Sequence, residues 1–392
     1  MKALKVGLAL FAAALLYLLA WPTGMEPQAW TPPQAPPLEG VYAYNDKLRG
    51  IEKLLPGVGK GPEAVNVDAT GRVYAGYADG RVVRLEPDGA SFTEVVNTGG
   101  RPLGITFGPK GGIVIADAKR GLLHFGRTLT TLGQEADGVP FGFTDDADNT
   151  LLDKNIYFTD ASHKFRYGRH MVDLLEHGAN GRLLEYNVAT MATRVLLSGL
   201  HFANGVAVGP DDAYVLVNET GEYRILRYWL KGPKAGTHDV FIDNLPGFPD
   251  NVTYNNRDLF WVAIFAPRDA LLDRLLPGNA FLRSVVAKMP AFLLPRANKH
   301  AFVLGLNLDG KVVHNLQYAG DDAYAPITSV REHGPWLYFG SLTYPAVGRM
   351  ALKEVIADAT PPPAGSQRIP SPRMVERKKT RRELAKEAAK ED

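Results

Sequence analysis

The sequence predicts an all-β fold, a six-bladed β-propeller, carrying an N-terminal membrane helix and helical insertions. Three observations lead there. First, two apolar, aromatic-rich runs joined across a turn recur six times: GRVYAGYADGRVVRL (71–85), GGIVIADAKRGLLHF (111–125), KNIYFTDAS with GRLLEYNV (154–188), DAYVLVNETGEYRILRYWL (212–230), RDLFWVAIF with HAFVLGLNLDGKVV (257–313) and GPWLYFGSLTYPAVGRMAL (334–352). A period of roughly 40–50 residues built of short strands marks a closed radial array. Second, an alternating run ending in turn residues precedes each pair, as in EAVNVDATG (63–71), LGITFGPKG (103–111) and NGVAVGPDD (204–212). That is the pattern of an inner strand and its hairpin. Third, 40 glycines and 28 prolines supply the turns such a chain needs.

Each unit then needs an outer strand. SFTEVVNT (91–98), TRVLLSGL (193–200) and THDVFIDNL (237–245) provide three of them. VYAYNDK (41–47) is expected to close the last blade from the N-terminal side. A β-sandwich is disfavoured, because six regular units are too many for one.

Before the repeats, Lys2 and Lys5 precede an apolar run from Val6 to Trp21. Sixteen helical residues span about 24 Å, which suits a cleaved signal core as well as an anchor. No small-x-small cleavage site follows, and Trp21 suits a membrane interface, so an uncleaved signal-anchor is favoured. Membrane anchoring with the propeller on the extracytoplasmic side is the expectation. The organisation reads as residues 1–21 signal-anchor, 22–38 Pro-rich linker, 39–356 propeller, and 357–392 a Pro-rich then charged tail. Two insertions, 162–180 and 266–300, interrupt the third and fifth units. Loops of that length are usually lids or binding walls.

Composition narrows the chemistry. A net charge of +2 with no basic face argues against a nucleic-acid partner. The absence of cysteine excludes disulfides, thiolate zinc sites and a Cys nucleophile. No GxSxG elbow, HExxH, P-loop or dinucleotide fingerprint occurs. His163, His170 and His177 are seven apart, too far along a helix to share one metal.

The inner strands carry the signal. Their first positions hold Glu63, Leu103, Asp145, Asn204, Asp250 with Asn251, and Thr328. In a propeller these positions face the axis. Carboxylate and amide oxygens are hard ligands suited to Ca²⁺. Glu63, Asp145, Asn204 and Asp250 form a candidate metal set, since three carboxylates sharing the axis without a cation would repel one another. Taken singly, each could simply start a turn. Arg101 could reach the channel mouth or serve a strand end. With Leu103, Asn251 and Thr328 it completes the expected substrate-binding positions.

GPEAVNVDATGRVYAGYADGRVVRL, GRPLGI, NIYFTDASHKF, FANGVAV, YRILRYWLKGPKAGT, LPGFPDNV and LYFGS together resemble the strictosidine synthase-like family over about residues 35–355. The wider group includes regucalcin/gluconolactonase and the paraoxonases. The resemblance implies a six-bladed propeller with axial Ca²⁺ used to hydrolyse lactones, esters or organophosphates. It places the family's metal glutamate on Glu63, its later asparagine on Asn204 and its acidic ligand on Asp250. The other family asparagine falls on Asp145, which keeps an oxygen ligand but adds charge. A paraoxonase-type channel histidine falls on Leu103, so that base is missing. No glutamate follows Trp261 where the plant Pictet–Spengler enzymes carry theirs, which disfavours strictosidine synthesis. The expected function is Ca²⁺-dependent hydrolysis of a small ester or lactone, with Asp250 or Asp145 as catalytic carboxylate. The alternative is a binding or scaffold propeller with structural Ca²⁺.

Overall fold

Short runs of Val, Ile, Leu, Phe and Tyr bury both faces only when sheets stack face to face. Six four-stranded sheets do so here. In the computed structural model, residues 2–108, 111–150, 152, 154–290 and 299–356 are described. Blades 1 to 5 comprise residues 65–97, 102–133, 144–200, 203–242 and 247–318. In each, four antiparallel strands run outward in chain order. Blade 6 is made of Ser329–His333, Trp336–Gly340 and Val347–Ala351, and Glu52–Leu54 supplies its outer strand. The register pairs Glu52 with Arg349 and Leu54 with Val347. The ring is thus closed by pairing the two ends of the repeat region.

The closing strand is not VYAYNDK. Residues 41–47 lie instead along the outer edge of blade 5. Leu48 donates its N–H to the Gln317 carbonyl at 3.0 Å, and Asn45 Oδ1 accepts from Gln317 N at 3.0 Å. Asn45, Gln317 and Asn315 are polar side chains that can satisfy an exposed strand edge, which blunts it. Such side-chain pairing has no signature in apolar patterning.

Aromatic and branched side chains fill the gaps between blades. Trp261, Val303, Ile327, Val330 and Phe339 join blades 5 and 6, and Ala207, Leu216, Val252, Phe260 and Leu304 join blades 4 and 5. Polar side chains add cross-blade ties. Thr159 Oγ1 donates to the Asn204 carbonyl at 2.6 Å, Thr253 Oγ1 to the Val330 carbonyl at 2.6 Å, and Ser329 Oγ to the Glu63 carbonyl at 2.7 Å.

Strand direction decides where the loops fall. Inner strands start at one face, called the upper face here, and the second-to-third strand connections return to it. Both insertions are such connections, so both lie on the upper face. The first holds helix α2 (His170–Glu176). The second holds α3 (Ala270–Leu275) and α4 (Ala280–Lys288). Asp269 and Asn279 accept from Leu272 N and Phe281 N at 2.8 Å, which satisfies orphan amides at each helix start. Tyr223 of blade 4 donates to Asp273 at 2.7 Å and holds α3 down.

The Pro-rich stretch after residue 21 is extended and docked across this roof. Glu26 N donates to Glu176 Oε2 at 2.8 Å, Gln28 N to the Glu176 carbonyl at 2.8 Å and Trp30 N to the Leu276 carbonyl at 3.2 Å. Buried Arg283 of α4 donates to the Gln28 and Leu175 carbonyls at 2.8 and 3.1 Å. Met25 and Trp30 pack on Leu175, Leu272 and Leu276.

Helix α1 (Lys2–Ala20) precedes the strap. Among the described residues no helix is long and apolar enough to cross a membrane. The expected membrane-spanning helix therefore finds no support among the described residues; Lys2 and Lys5 lie within α1 and leave an uninterrupted apolar stretch of about 22 Å, short of the hydrocarbon core. Leu4, Leu8, Phe11 and Leu16 of α1 are more than half exposed.

Candidate functional site

The axial residues are aimed by irregularities in the inner strands. Pairing with the second strand slips between Pro102 and Gly104, Thr144 and Ala147, Ala203 and Val206, and Pro249 and Val252. These four bulges contain Leu103, Asp145 with Asp146, Asn204, and Asp250 with Asn251. A bulge inserts an unpaired residue and turns its side chain out of strict alternation. Here the turned side chains belong to the upper end of the channel. Glycine follows twice, for steric reasons. A Cβ on Gly205 would meet the Asn251 Cα at 2.5 Å, and one on Gly104 would meet the Asp146 Cα at 2.6 Å. Neighbouring inner strands therefore approach closely at the level of the site.

The set is buried. Glu63, Asp145, Asn204 and Asp250 are each less than a tenth exposed. Asn251 Nδ2 donates to Glu63 Oε1 at 3.0 Å, and Thr328 Oγ1 to the Glu63 carbonyl at 3.0 Å. Asn251 and Thr328, expected to meet substrate, thus touch Glu63 and hold it. Arg101 is buried, with NH1 on the Gly61 carbonyl at 2.8 Å and its N–H on Asp117 Oδ1 at 2.9 Å. Its guanidinium opposes the burial that raises Glu63 and Asp145. Leu103 packs with Ala118, Phe143, Ala161 and Phe202 in an apolar wall.

Arg101 compensates the acidic charge of this site only in part. Burial, with the neighbouring Asp146 charge, pushes Glu63 up to about 8. Burial, then the charge of Glu63, raises Asp145 and Asp250 well above the usual carboxylate range. Asn204 opposes the rise at Asp250 through a side-chain hydrogen bond. Asp146, which the sequence reading passed over, is pushed by burial to about 7. It is a tie between blades, accepting from Ala147 N at 2.9 Å and from Val206 N at 3.0 Å. An adjacent Asp pair gives no sign in sequence of which member faces the axis.

Whether the residues suit a cation can be judged from their unsatisfied atoms. Glu63 Oε2, Asn204 Oδ1 and Asn251 Oδ1 are buried with no hydrogen-bond partner. Buried acceptors are rarely left so. An all-oxygen donor set with two or more carboxylates fits a hard divalent ion such as Ca²⁺. The axial carboxylates are not drawn into a tight cluster. Among the described residues, the His/Asp/Glu group whose ligand atoms all lie within 4.8 Å of one another is His177, His201 and Glu222. His177 ends α2, and His163 and His170 stand apart from it in the same insertion. Sequence spacing could not pair His177 with His201, which sits in a different connection.

Fold and axial oxygen set define the class: a six-bladed propeller with a buried acidic centre at the upper end of its channel. A family profile described as strictosidine synthase matches residues 147–233, and one described as strictosidine synthase-like, N-terminal, matches residues 40–85. The adipocyte plasma membrane-associated protein of Rattus norvegicus is 31% identical over 375 residues, 90% of this chain and 99% of that protein. Protein STRICTOSIDINE SYNTHASE-LIKE 6 of Arabidopsis thaliana is 36% identical over 317 residues, covering 78% of this chain and 82% of that one. The chain belongs to the strictosidine synthase-like family. Among solved structures, a gluconolactonase from Xanthomonas campestris superposes with a TM-score of 0.56 at 13% identity, covering 83% of this chain and 99% of that one. A calcium-binding regucalcin from Agrobacterium tumefaciens gives 0.51 at 14% identity, covering 75% of this chain and 90% of that one. These similarities establish the propeller fold.

Proposed function

We propose that the protein is a membrane-associated, Ca²⁺-dependent hydrolase of small esters or lactones. The observation that carries this reading is the convergence of Glu63, Asp145, Asn204 and Asp250 from four bulged or strand-initial positions, with buried oxygens left unpartnered. The names of the superposed gluconolactonase and calcium-binding regucalcin support the direction. Glu63, Asp145, Asn204 and Asp250 would hold the ion. When bound, it would supply Lewis-acid polarisation of a substrate carbonyl and charge for the developing oxyanion.

The chain's own residues do the rest. Asn251 and Thr328 fix the position of Glu63. Arg101 keeps part of the acidic charge ionised from within the protein. Burial and the charge of Glu63 hold the Asp250 carboxyl well above the usual carboxylate range; positive charge beside it would favour the ionised form, which can take a proton from water at a carboxylate oxygen. Asp145 is the second candidate for this role. Leu103, Phe143 and Phe202 exclude water and favour an apolar acyl or alcohol portion.

Alanine at Glu63 or Asp250 is expected to abolish turnover of an ester and lactone panel while circular dichroism stays that of a β-propeller. Unchanged turnover would refute the assignment. Membrane association rests on α1, with Trp21 at its end and exposed Phe281 and Leu282 of α4 on the same roof. Relatives named for the plasma membrane support it. Deleting residues 1–20 is expected to remove partition onto lipid vesicles; equal partition would assign it elsewhere.

A further inference from the structure

The roof contains a second polar centre, distinct in chemistry from the axial one. His177 closes α2 in a left-handed conformation, with φ 54° and ψ 42°. His201 lies in the connection from blade 3 to blade 4. Glu222 lies in the second-to-third strand connection of blade 4. Three upper-face connections thus deliver one ligand-bearing side chain each. His177 Nε2 lies 3.1 Å from Glu222 Oε1, and His201 Nδ1 lies 3.3 Å from the same oxygen. Glu219 Oε1 stands 3.5 Å from His201 Nδ1.

These separations are informative. Two ligands on a tetrahedral zinc with bonds of about 2.0–2.1 Å sit roughly 3.3 Å apart. The nitrogen-to-oxygen distances of 3.1 and 3.3 Å match that spacing. The donor set of two imidazoles and a carboxylate is borderline in hardness and suits zinc, cobalt, nickel or copper rather than calcium. The surroundings hold the ligands in place. Arg224 Nε binds Glu219 Oε2 at 2.6 Å, and its NH1 stands 3.7 Å from Glu222 Oε2, leaving Glu222 Oε1 for the histidines. His201 N donates to Glu219 Oε1 at 2.9 Å. Trp30 of the strap stacks on His177 at 4.3 Å, and His177 stacks on His201 at 4.3 Å. His201, with its side chain 22% exposed, is the freer ring, and its rotation can bring both lone pairs onto one point.

We propose that His177, His201 and Glu222 form a binding site for a divalent transition metal of the zinc class, with Glu219 or water as fourth ligand. The bound ion clamps α2 to blade 4 beneath Trp30 and so fastens the strap over the channel. This site is independent of the axial oxygens and of their proposed catalysis.

The test uses the full chain, freed of transition metals and kept in saturating Ca²⁺, with Co²⁺ as the spectroscopic probe. The wild type is expected to take up one equivalent of Co²⁺, to show visible ligand-field bands of a nitrogen and oxygen site, and to lose them on adding Zn²⁺. His201→Gln and Glu222→Gln are each expected to weaken Co²⁺ binding by more than about tenfold. Glu63→Gln is expected to leave it unchanged. Should His201→Gln fail to fold, Glu222→Gln, which keeps the shape of the carboxylate, decides. No visible band in the wild type, or bands of equal strength in both variants, would overturn the proposal. Loss of the bands in Glu63→Gln would assign the probe to the axis and overturn it too.

Discussion

Asp173→Asn removes one buried titration from the roof while keeping its hydrogen bonds. Asp173 is 2% exposed on α2. Ser162 Oγ donates to its Oδ1 at 2.6 Å, and Asn180 Nδ2 donates to the same oxygen at 3.0 Å. An asparagine presents one carbonyl oxygen that can accept both. Burial lifts the Asp173 carboxyl from 3.8 to about 6, with Ser162, Asn180 and His201 opposing and Glu176 adding to the rise. The folded state therefore favours the protonated acid. Its contribution to stability is whole below pH about 4 and is lost as pH rises through about 6. At about 1.4 kcal/mol per pKa unit, the loss above pH 6.5 is on the order of 3 kcal/mol. The asparagine variant should match the wild type near pH 4. It should exceed the wild type by roughly this amount near pH 7. Urea denaturation of both proteins from pH 4 to 7.5 reads the difference directly. A difference that stays flat across this range, or a variant less stable at pH 7, would refute the reasoning.

Two further expectations concern the close approach of blades and the strap. Gly205→Ala places a Cβ against the Asn251 backbone and should cost about 1–3 kcal/mol by thermal unfolding, with weaker Ca²⁺ binding, whereas a surface glycine such as Gly7, with open space around it and no positive φ, should tolerate alanine far better. Arg283→Met removes the guanidinium that joins Gln28 to Leu175, and limited proteolysis within residues 21–37 should accelerate several-fold while the propeller fragment persists.

Much of this was legible in the sequence because strand alternation and turn chemistry are local. The six blades and the register of Glu63, Asp145, Asn204 and Asp250 follow from them. Three features were not legible, each for a physical reason. The closing strand is Glu52–Leu54, a three-residue segment whose pairing is set by ring closure and not by its own pattern. Asn251 reaches Glu63 because the bulge at Pro249–Val252 turns it, and a bulge has no composition of its own. His177 and His201 meet because two loops share one face, a relation that exists only after the blades are assembled.

The proposed hydrolysis requires calcium on the axial oxygens. The most direct test is the rate of ester and lactone turnover measured against free Ca²⁺ in the full-length protein. Turnover is expected to rise with Ca²⁺ over the concentration range in which the ion binds, and to vanish in chelator. Turnover that persists in chelator, or saturated Ca²⁺ binding with no turnover across the panel, would contradict it.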